Sequence, residues 1–335
     1  MRLKRLAAVG MAAVLAMSTF AGCSKGDDSA EGKKKIGVVQ LVEHDALDSA
    51  YKGFKEGLEE AGYKDGDNIK IEYKNAQNEQ SNCQTIAQQF VTDKCDLVLA
   101  IATPAAQAMA NETKDIPILV TAVTDPADAK LVKSNKEPGT NVSGTSDLTP
   151  VEKQMDLLKE LIPDAKKVAM LYCSAEANSK YQVNLAKKAA EKLGLETVDA
   201  TVSESSEIRQ VVESLKGKVD AIYSPTDNMI AAGINTVSMV ANEEKLPFIV
   251  GEEGMCVGGG LATYGLNYYE LGKQTAAQAV KILEGKAEPK DMPIEYQENA
   301  DLIINEDTAK ELGITIPDNL KKEAKMVKTQ KSAEE

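Results

Sequence analysis

The chain has 335 residues, 43% of them hydrophobic and 27% charged, which is ordinary globular composition and excludes a disordered or fibrous protein. Its net charge is −13, with 39 Lys and Arg against 52 Asp and Glu. Such a surface repels phosphate backbones and argues against a nucleic-acid partner, while the length suits two compact α/β domains.

Met1-Arg-Leu-Lys-Arg5 is a basic start, and Leu6 to Phe20 is an apolar run of about 15 residues, short of the ~20 that a membrane helix needs. Residues 1–22 therefore read as an export signal. Without them 36 basic residues remain against 52 acidic ones, a net charge of −16. The run ends Thr19-Phe20-Ala21-Gly22-Cys23, which resembles the bacterial lipoprotein signal, where a Cys after small residues is lipidated and becomes the N-terminus. Residues 23–35, with Gly, Ser, Asp and a Lys triplet, read as a flexible tether. The remaining cysteines are Cys83, Cys95, Cys173 and Cys256, an even number that permits disulfides in an exported chain. Their spacing matches neither a metal nor a redox pair. A Cys83–Cys95 bridge stays open, with free buried thiols the preferred reading.

Strand and helix then alternate. Ile36 to Leu41 is an apolar strand ending in the polar turn Glu43-His44-Asp45; Tyr51, Phe54, Leu58 and Ala61 recur at helical spacing until Gly62. Ile69 to Tyr73 alternates as a second strand, and Ile86, Phe90 and Val91 mark a second helix. Asp96-Leu-Val-Leu-Ala-Ile-Ala-Thr-Pro-Ala-Ala106 is an acid, an apolar strand, and Thr-Pro opening a helix. The strand Ile116 to Val120 runs into Thr121-Ala-Val-Thr124-Asp-Pro126. This order predicts a mostly parallel, right-handed, doubly wound sheet.

Thr149-Pro150-Val151-Glu152 reads as a helix start with a capping box. A second alternating unit follows: strand Val168 to Tyr172, helix Ala177 to Leu193, strand Glu196 to Ala200, helix Ile208 to Leu215. Asp220-Ala-Ile-Tyr-Ser-Pro-Thr-Asp-Asn-Met-Ile230 then echoes the Asp96 stretch, a buried strand delivering polar residues to the start of a helix. Pro247 to Val250 and Gly260 to Tyr264 are further strands. The fold class is α/β, with two doubly wound parallel-sheet lobes joined near residue 146.

The only histidine, His44, cannot form a multi-His metal site or, without a Gly-x-Ser-x-Gly elbow, a hydrolase triad. No phosphate-loop motif is present. Neither an enzyme, a metal nor a cofactor is expected, and Gly258-Gly259-Gly260 reads as a structural turn. Thr103-Pro104, Thr124-Asp125-Pro126, Ser146-Asp147 and Ser224-Pro225-Thr226-Asp227 each resemble an ordinary cap or turn. Together they place hydroxyls and helix-start N–H groups at carboxyl edges, where open α/β sheets bind ligands and carboxylates are attracted. Asp227, Glu252 and Glu253 add acids that suit an ammonium, so the cleft suits a zwitterion. Beyond the leader there is no Trp, and the Phe residues are Phe54, Phe90 and Phe248, which weakens a sugar ligand. A sugar or nucleoside is the alternative.

Thr145-Ser-Asp-Leu-Thr-Pro-Val-Glu-Lys-Gln154, Glu176-Ala-Asn-Ser179, Pro225-Thr-Asp-Asn228, Glu252-Glu-Gly-Met255, Ala262-Thr-Tyr-Gly265 and Tyr268-Tyr-Glu-Leu-Gly272 resemble, in order, the ABC transporter substrate-binding lipoproteins of the tryptophan/tyrosine-uptake type. Cys173-Ser174-Ala175 departs from that family's usual Asn-Pro-Gly. The resemblance implies a type I periplasmic-binding-protein fold, its lobes joined near Thr145 to Leu148, Tyr264 to Asn267 and Pro293 to Gln297. The first lobe would be 36–145 plus 268–290 and the second 146–264 plus 298–320, with a polar tail at 321–335. It implies a monomeric, extracytoplasmic receptor, lipid-anchored at Cys23, that hands an aromatic amino acid to a membrane permease. The expected ligand residues are His44, Asp45, Thr103, Thr124, Asp125, Ser146, Tyr172, Ser174, Thr226, Asp227, Glu252, Glu253 and Tyr264. Among them Thr103, Thr124 and Ser146 would take the carboxylate, Asp227 and Glu253 the ammonium, and Tyr172 or Tyr264 the side chain.

Overall fold

Residues 32–330 are described by the structure, a computed structural model. The leader 1–22, Cys23, most of the tether and residues 331–335 lie outside the described residues. The first sheet is built as β1 (Lys34–Gln40), α1 (Asp45–Glu60), β2 (Ile69–Asn75), α2 (Gln80–Thr92), β3 (Leu97–Ile101), α3 (Thr103–Glu112), β4 (Ile118–Val123) and β5 (Val142–Ser146). Its strand order is β2-β1-β3-β4-β5 and every pairing is parallel. Helices cover both faces of such a sheet, so its central strands are apolar throughout, as in the fully buried run Leu97-Val-Leu-Ala-Ile101.

The chain then leaves for a second sheet through α4 (Val151–Leu161), β6 (Lys167–Cys173), α5 (Ala177–Lys192), β7 (Glu196–Val202), α6 (Ile208–Glu213), β8 (Ala221–Ser224), α7 (Asn228–Ala232), α8 (Ile234–Glu243), β9 (Phe248–Val250), α9 (Glu253–Val257) and β10 (Ala262–Gly265). It returns to the first lobe as α10 (Tyr268–Leu283), crosses again, and ends with β11 (Asp301–Asn305), α11 (Glu306–Leu312), α12 (Asp318–Glu323) and β12 (Lys325–Val327). The second sheet has the order β12-β11-β10-β9-β8-β6-β7, and only β10 and β11 run antiparallel. Residues 321–330, expected as a polar tail, instead complete α12 and supply the edge strand β12. The short Lys-Met-Val segment pairs by its backbone and leaves Met326 exposed, so it carries little apolar signal.

The three crossings are hydrogen-bonded to one another. Ser146 N–H donates to the Glu295 carbonyl (2.9 Å) and Glu295 N–H to the Gly144 carbonyl (3.0 Å). The Gln297 side chain bridges both polar groups of the Asn267 backbone. Helix α10 lies against α1 so closely that a Cβ on Gly53 or Gly272 would collide with the facing backbone, at Tyr269 and Ala50 respectively. Glycine is required there by contact, not by dihedral angle.

The capping box expected at Thr149 and Glu152 does not form. Helix α4 starts after Pro150 with no side-chain cap, the Thr149 hydroxyl is buried without a partner, and Glu152 reaches out to Lys192 instead. Cys83, Cys95, Cys173 and Cys256 are buried free thiols. Among the described residues no helix is long and apolar enough to cross a membrane.

Candidate functional site

The strand order of each sheet reverses at one place, between β1 and β3 in the first and between β6 and β8 in the second. Connections leave toward opposite sides there, so a crevice opens at the carboxyl ends of the strands. His44 follows β1 and Thr103 follows β3; Glu176 follows β6 and Asp227 follows β8. The two crevices meet at an interior cavity. His44, Leu47, Ala122 and Thr124 wall it from the first lobe, and Asn178, Thr226, Asp227, Asn228, Ala231 and Glu252 from the second. Asp147, in a crossing segment, and Tyr268, at the start of α10, close the remaining side. The space between these lining atoms is about 280 Å³. A larger groove of about 1160 Å³ lies beside it, lined among others by Asp45, Asp48, Glu253 and Lys325, and opens to solvent. The inner cavity is the candidate site, because its hydrogen-bonding groups are desolvated and therefore bind strongly.

Backbone strain marks the first-lobe wall. Ala102 and Ala122, at the ends of β3 and β4, have φ of 80° and 54°, and β4 slips register against β5 beside Ala122. Residues with a Cβ hold such angles at a cost of about 1–3 kcal/mol, commonly at functional sites.

Polar side chains join the lobes. Gln182 of α5 donates to Thr124 Oγ1 across the cleft (3.0 Å) and to Thr226 Oγ1 (2.7 Å). His44 Nε2 lies 3.4 Å from Asn228 Oδ1. Three second-lobe acids are turned toward helix starts. Glu176 accepts from the side chains of Asn178 (2.9 Å) and Asn228 (2.5 Å) and from the Met229 N–H (3.2 Å). Asp227 accepts from the N–H groups of Cys173 (2.7 Å) and Ile230 (2.9 Å) and from the Ser179 hydroxyl (2.7 Å). Burial raises the pKa of both carboxyls, and the charge of Asp227 raises that of Glu176 further. Glu252 caps α9 through the N–H groups of Gly254 (2.5 Å) and Met255 (2.7 Å), and burial pushes it up to about 7.

Asp147 is different. Its Oδ2 accepts from the Tyr268 hydroxyl (2.7 Å), Oδ1 is buried with no partner at hydrogen-bond distance, and burial raises the carboxyl to about 6 against the opposing pull of the Tyr268 and Thr124 hydroxyls. Asn178 Oδ1 and His44 Nδ1 are likewise buried and unpartnered. Burial lowers His44 to about 4, so its ring is neutral at pH 7.

Residues 35–328 match the family described as ABC transporter substrate binding protein. The chain belongs to that family. A tyrosine-binding protein of Clostridioides difficile is 48% identical over 319 residues, 92% of each chain. A domain from Streptococcus pneumonia solved in complex with L-Trp is 43% identical, with TM-score 0.85 over 88% of this chain and 99% of that one. A ligand-free, open substrate-binding protein with adhesive properties from Clostridium difficile is 48% identical over 89% of this chain and 100% of its own, yet its TM-score is 0.68. The two-lobed architecture of this ABC substrate-binding protein is the type I periplasmic-binding-protein fold.

In this substrate-binding protein the cavity brings together His44, Thr124, Thr226, Asp227 and Glu252 of the residues expected from the sequence. Thr103 is buried with an unpartnered hydroxyl at the start of α3, outside the cavity lining. Ser146 donates to the Thr124 carbonyl (2.7 Å) and serves a turn. Asp125 is also a turn residue, accepting from the Ala127 and Asp128 N–H groups and the Asn135 amide. Tyr172 and Tyr264 lie elsewhere, because strand side chains project onto the sheet faces. Both pack on the core of the second lobe, with Lys153 over the Tyr264 ring at 5.6 Å. Ser174 is tied to β7 through the Val202 carbonyl, and Asp45 and Glu253 line the outer groove, Glu253 ion-paired to Lys325 (2.5 Å). Asp227 reaches the cavity, but its carboxylate is engaged by three donors of its own lobe, so the structure makes it a cap and not an open ammonium partner. Sequence reasoning missed Asp147, Asn178, Gln182, Asn228 and Tyr268, and gave Glu176 no role. Asp147 is the neighbour of the chosen Ser146, so its signal was one residue away.

Proposed function

We propose that this ABC substrate-binding protein closes its two lobes on an aromatic amino acid and presents it, as a monomer tethered through lipidated Cys23, to a membrane permease. One observation carries the ligand class: Asp147 Oδ1 and Asn178 Oδ1 are buried acceptors without donors in the same cavity. Leaving such an acceptor unpaired costs about 1–3 kcal/mol. An α-ammonium supplies donors to both, and only Asp147 of the two carries a charge to match it. The α-carboxylate is then turned to the hydroxyl of Thr124 in the first-lobe wall. Leu47, Ala122 and Ala231 provide apolar wall for the side chain.

Relatives named for tyrosine and solved with L-Trp support an aromatic side chain. The closure reading draws on the lobe-to-lobe bonds of Gln182 and on the poorer superposition with the open relative despite its higher identity. A ligand contacting both lobes favours the closed form, because only that form makes all of its contacts. ABC substrate-binding proteins work outside the cytoplasm, where an anchored receptor meets its permease.

Calorimetry of the purified chain against tyrosine, tryptophan, phenylalanine, galactose and adenosine tests the reading. Saturable binding of an aromatic amino acid is expected. Binding of the sugar or nucleoside with none of the amino acids would overturn it.

A further inference from the structure

We infer that His44 reads the ring of the ligand: its Nδ1 accepts a hydrogen bond from a phenol O–H or an indole N–H, so the receptor selects tyrosine and tryptophan over phenylalanine. This rests on the aromatic amino-acid reading above. Asn228 sets the tautomer of His44. Its side-chain nitrogen donates to Glu176 Oε2 (2.5 Å), an oxygen that the Asn228 N–H also approaches (3.3 Å). The amide is thereby oriented, and its oxygen is the atom turned to His44 Nε2. An amide oxygen only accepts, so Nε2 carries the proton. In a neutral imidazole Nδ1 is then a bare acceptor, and it is buried without a partner in the wall of the cavity.

The free acceptors sit on different elements. The oxygens of Asp147, on the first crossing, and of Asn178, on α5, take an α-ammonium, which the Asp147 charge attracts. Nδ1 is a third free acceptor, carried by the other lobe at the start of α1, and it is left for the ring donor. Its surroundings suit an aromatic ring: Leu47 follows His44 by one helical turn, and Ala231 follows Asn228 by one turn, both lining the same cavity. Tyrosine and tryptophan bring a ring donor into that apolar setting. Phenylalanine fits by shape but leaves Nδ1 unpaired, and sites built to hydrogen-bond a ligand group reject the analogue that lacks it.

Calorimetry with tyrosine, tryptophan and phenylalanine on the wild-type chain, His44→Ala and His44→Asn tests this, with urea unfolding of each ligand-free variant to establish that it is folded. The wild type is expected to bind tyrosine or tryptophan at least about 10-fold more tightly than phenylalanine. His44→Ala compresses that preference to within about 3-fold by weakening the ligands with a ring donor and leaving phenylalanine nearly unchanged. His44→Asn, which keeps an acceptor oxygen near the place of Nδ1, retains part of the preference. Equal wild-type affinity for tyrosine, tryptophan and phenylalanine, or an equal loss for all three in His44→Ala, overturns the inference and leaves the receptor reading standing. If the wild type binds no aromatic amino acid, the receptor reading falls and takes this inference with it.

Discussion

The two lobes meet the cavity with different chemistry. On the second-lobe edge the carboxyls of Glu176, Asp227 and Glu252 are buried at or beside the cavity, yet each spends its oxygens on donors from its own lobe. The first-lobe edge offers hydroxyls, a neutral imidazole and a strained backbone, with free capacity at Thr103 and His44. Between them the crossing segment supplies Asp147, a carboxylate with one oxygen open. Proximity and charge therefore do not identify a binding group in this molecule. The proposed site separates ligand residues from scaffold residues by whether their hydrogen-bonding capacity is already filled.

That distinction can be broken most directly at Asp147. Asp147→Asn keeps the shape and removes the charge, and is expected to cost about 2–5 kcal/mol of amino-acid affinity by calorimetry while the fold persists. Asp227→Ala should do the opposite. It strips three buried donors of their acceptor and removes a cap, so urea unfolding is expected to show a loss of about 2–4 kcal/mol of stability. Unchanged stability together with abolished binding would return Asp227 to the role of ammonium partner.

The smallest effect is in pH. Burial raises Asp147 from 3.8 to about 6 and Glu252 from 4.5 to about 7, so the folded chain holds protons that the unfolded chain has released. Their contribution to stability is full below about pH 4 and is lost as pH rises through 6 to 7. Over the same interval amino-acid affinity rises, because the ammonium needs Asp147 ionised. Asp147→Asn should remove the Asp147 share of that pH-dependent change in ligand-free stability and leave the Glu252 share. An affinity that is flat from pH 5 to 8 would exclude Asp147 as the partner.

Much of the architecture was legible in the chain because strand and helix alternate with apolar runs that only a covered parallel sheet explains. The polar edges were legible too, and Thr124, Thr226, Asp227 and Glu252 reach the cavity. Their saturation was not. Asp227 is filled by Cys173 and Ser179, groups about fifty positions earlier that only the packing of β6 and α5 brings near. Tyr172 and Tyr264 were misplaced because periodicity locates a strand without saying which residues stand at its end and which on its face. At α4 the Thr-Pro-Val-Glu pattern suggested a cap, but the backbone at Pro150, with ψ of 75°, carries Thr149 away from the helix start.

The glycine contact between α1 and α10 makes one jaw of parts that are distant in sequence. His44 stands at the start of α1 and Tyr268, the partner of Asp147, at the start of α10, and Gly53 and Gly272 clamp the two helices together. A change at either glycine would shift one wall of the cavity against another without touching the ligand. Anyone evolving this receptor into a sensor for a new analyte should expect affinity variants to emerge at these buried positions, well outside any library drawn around the pocket.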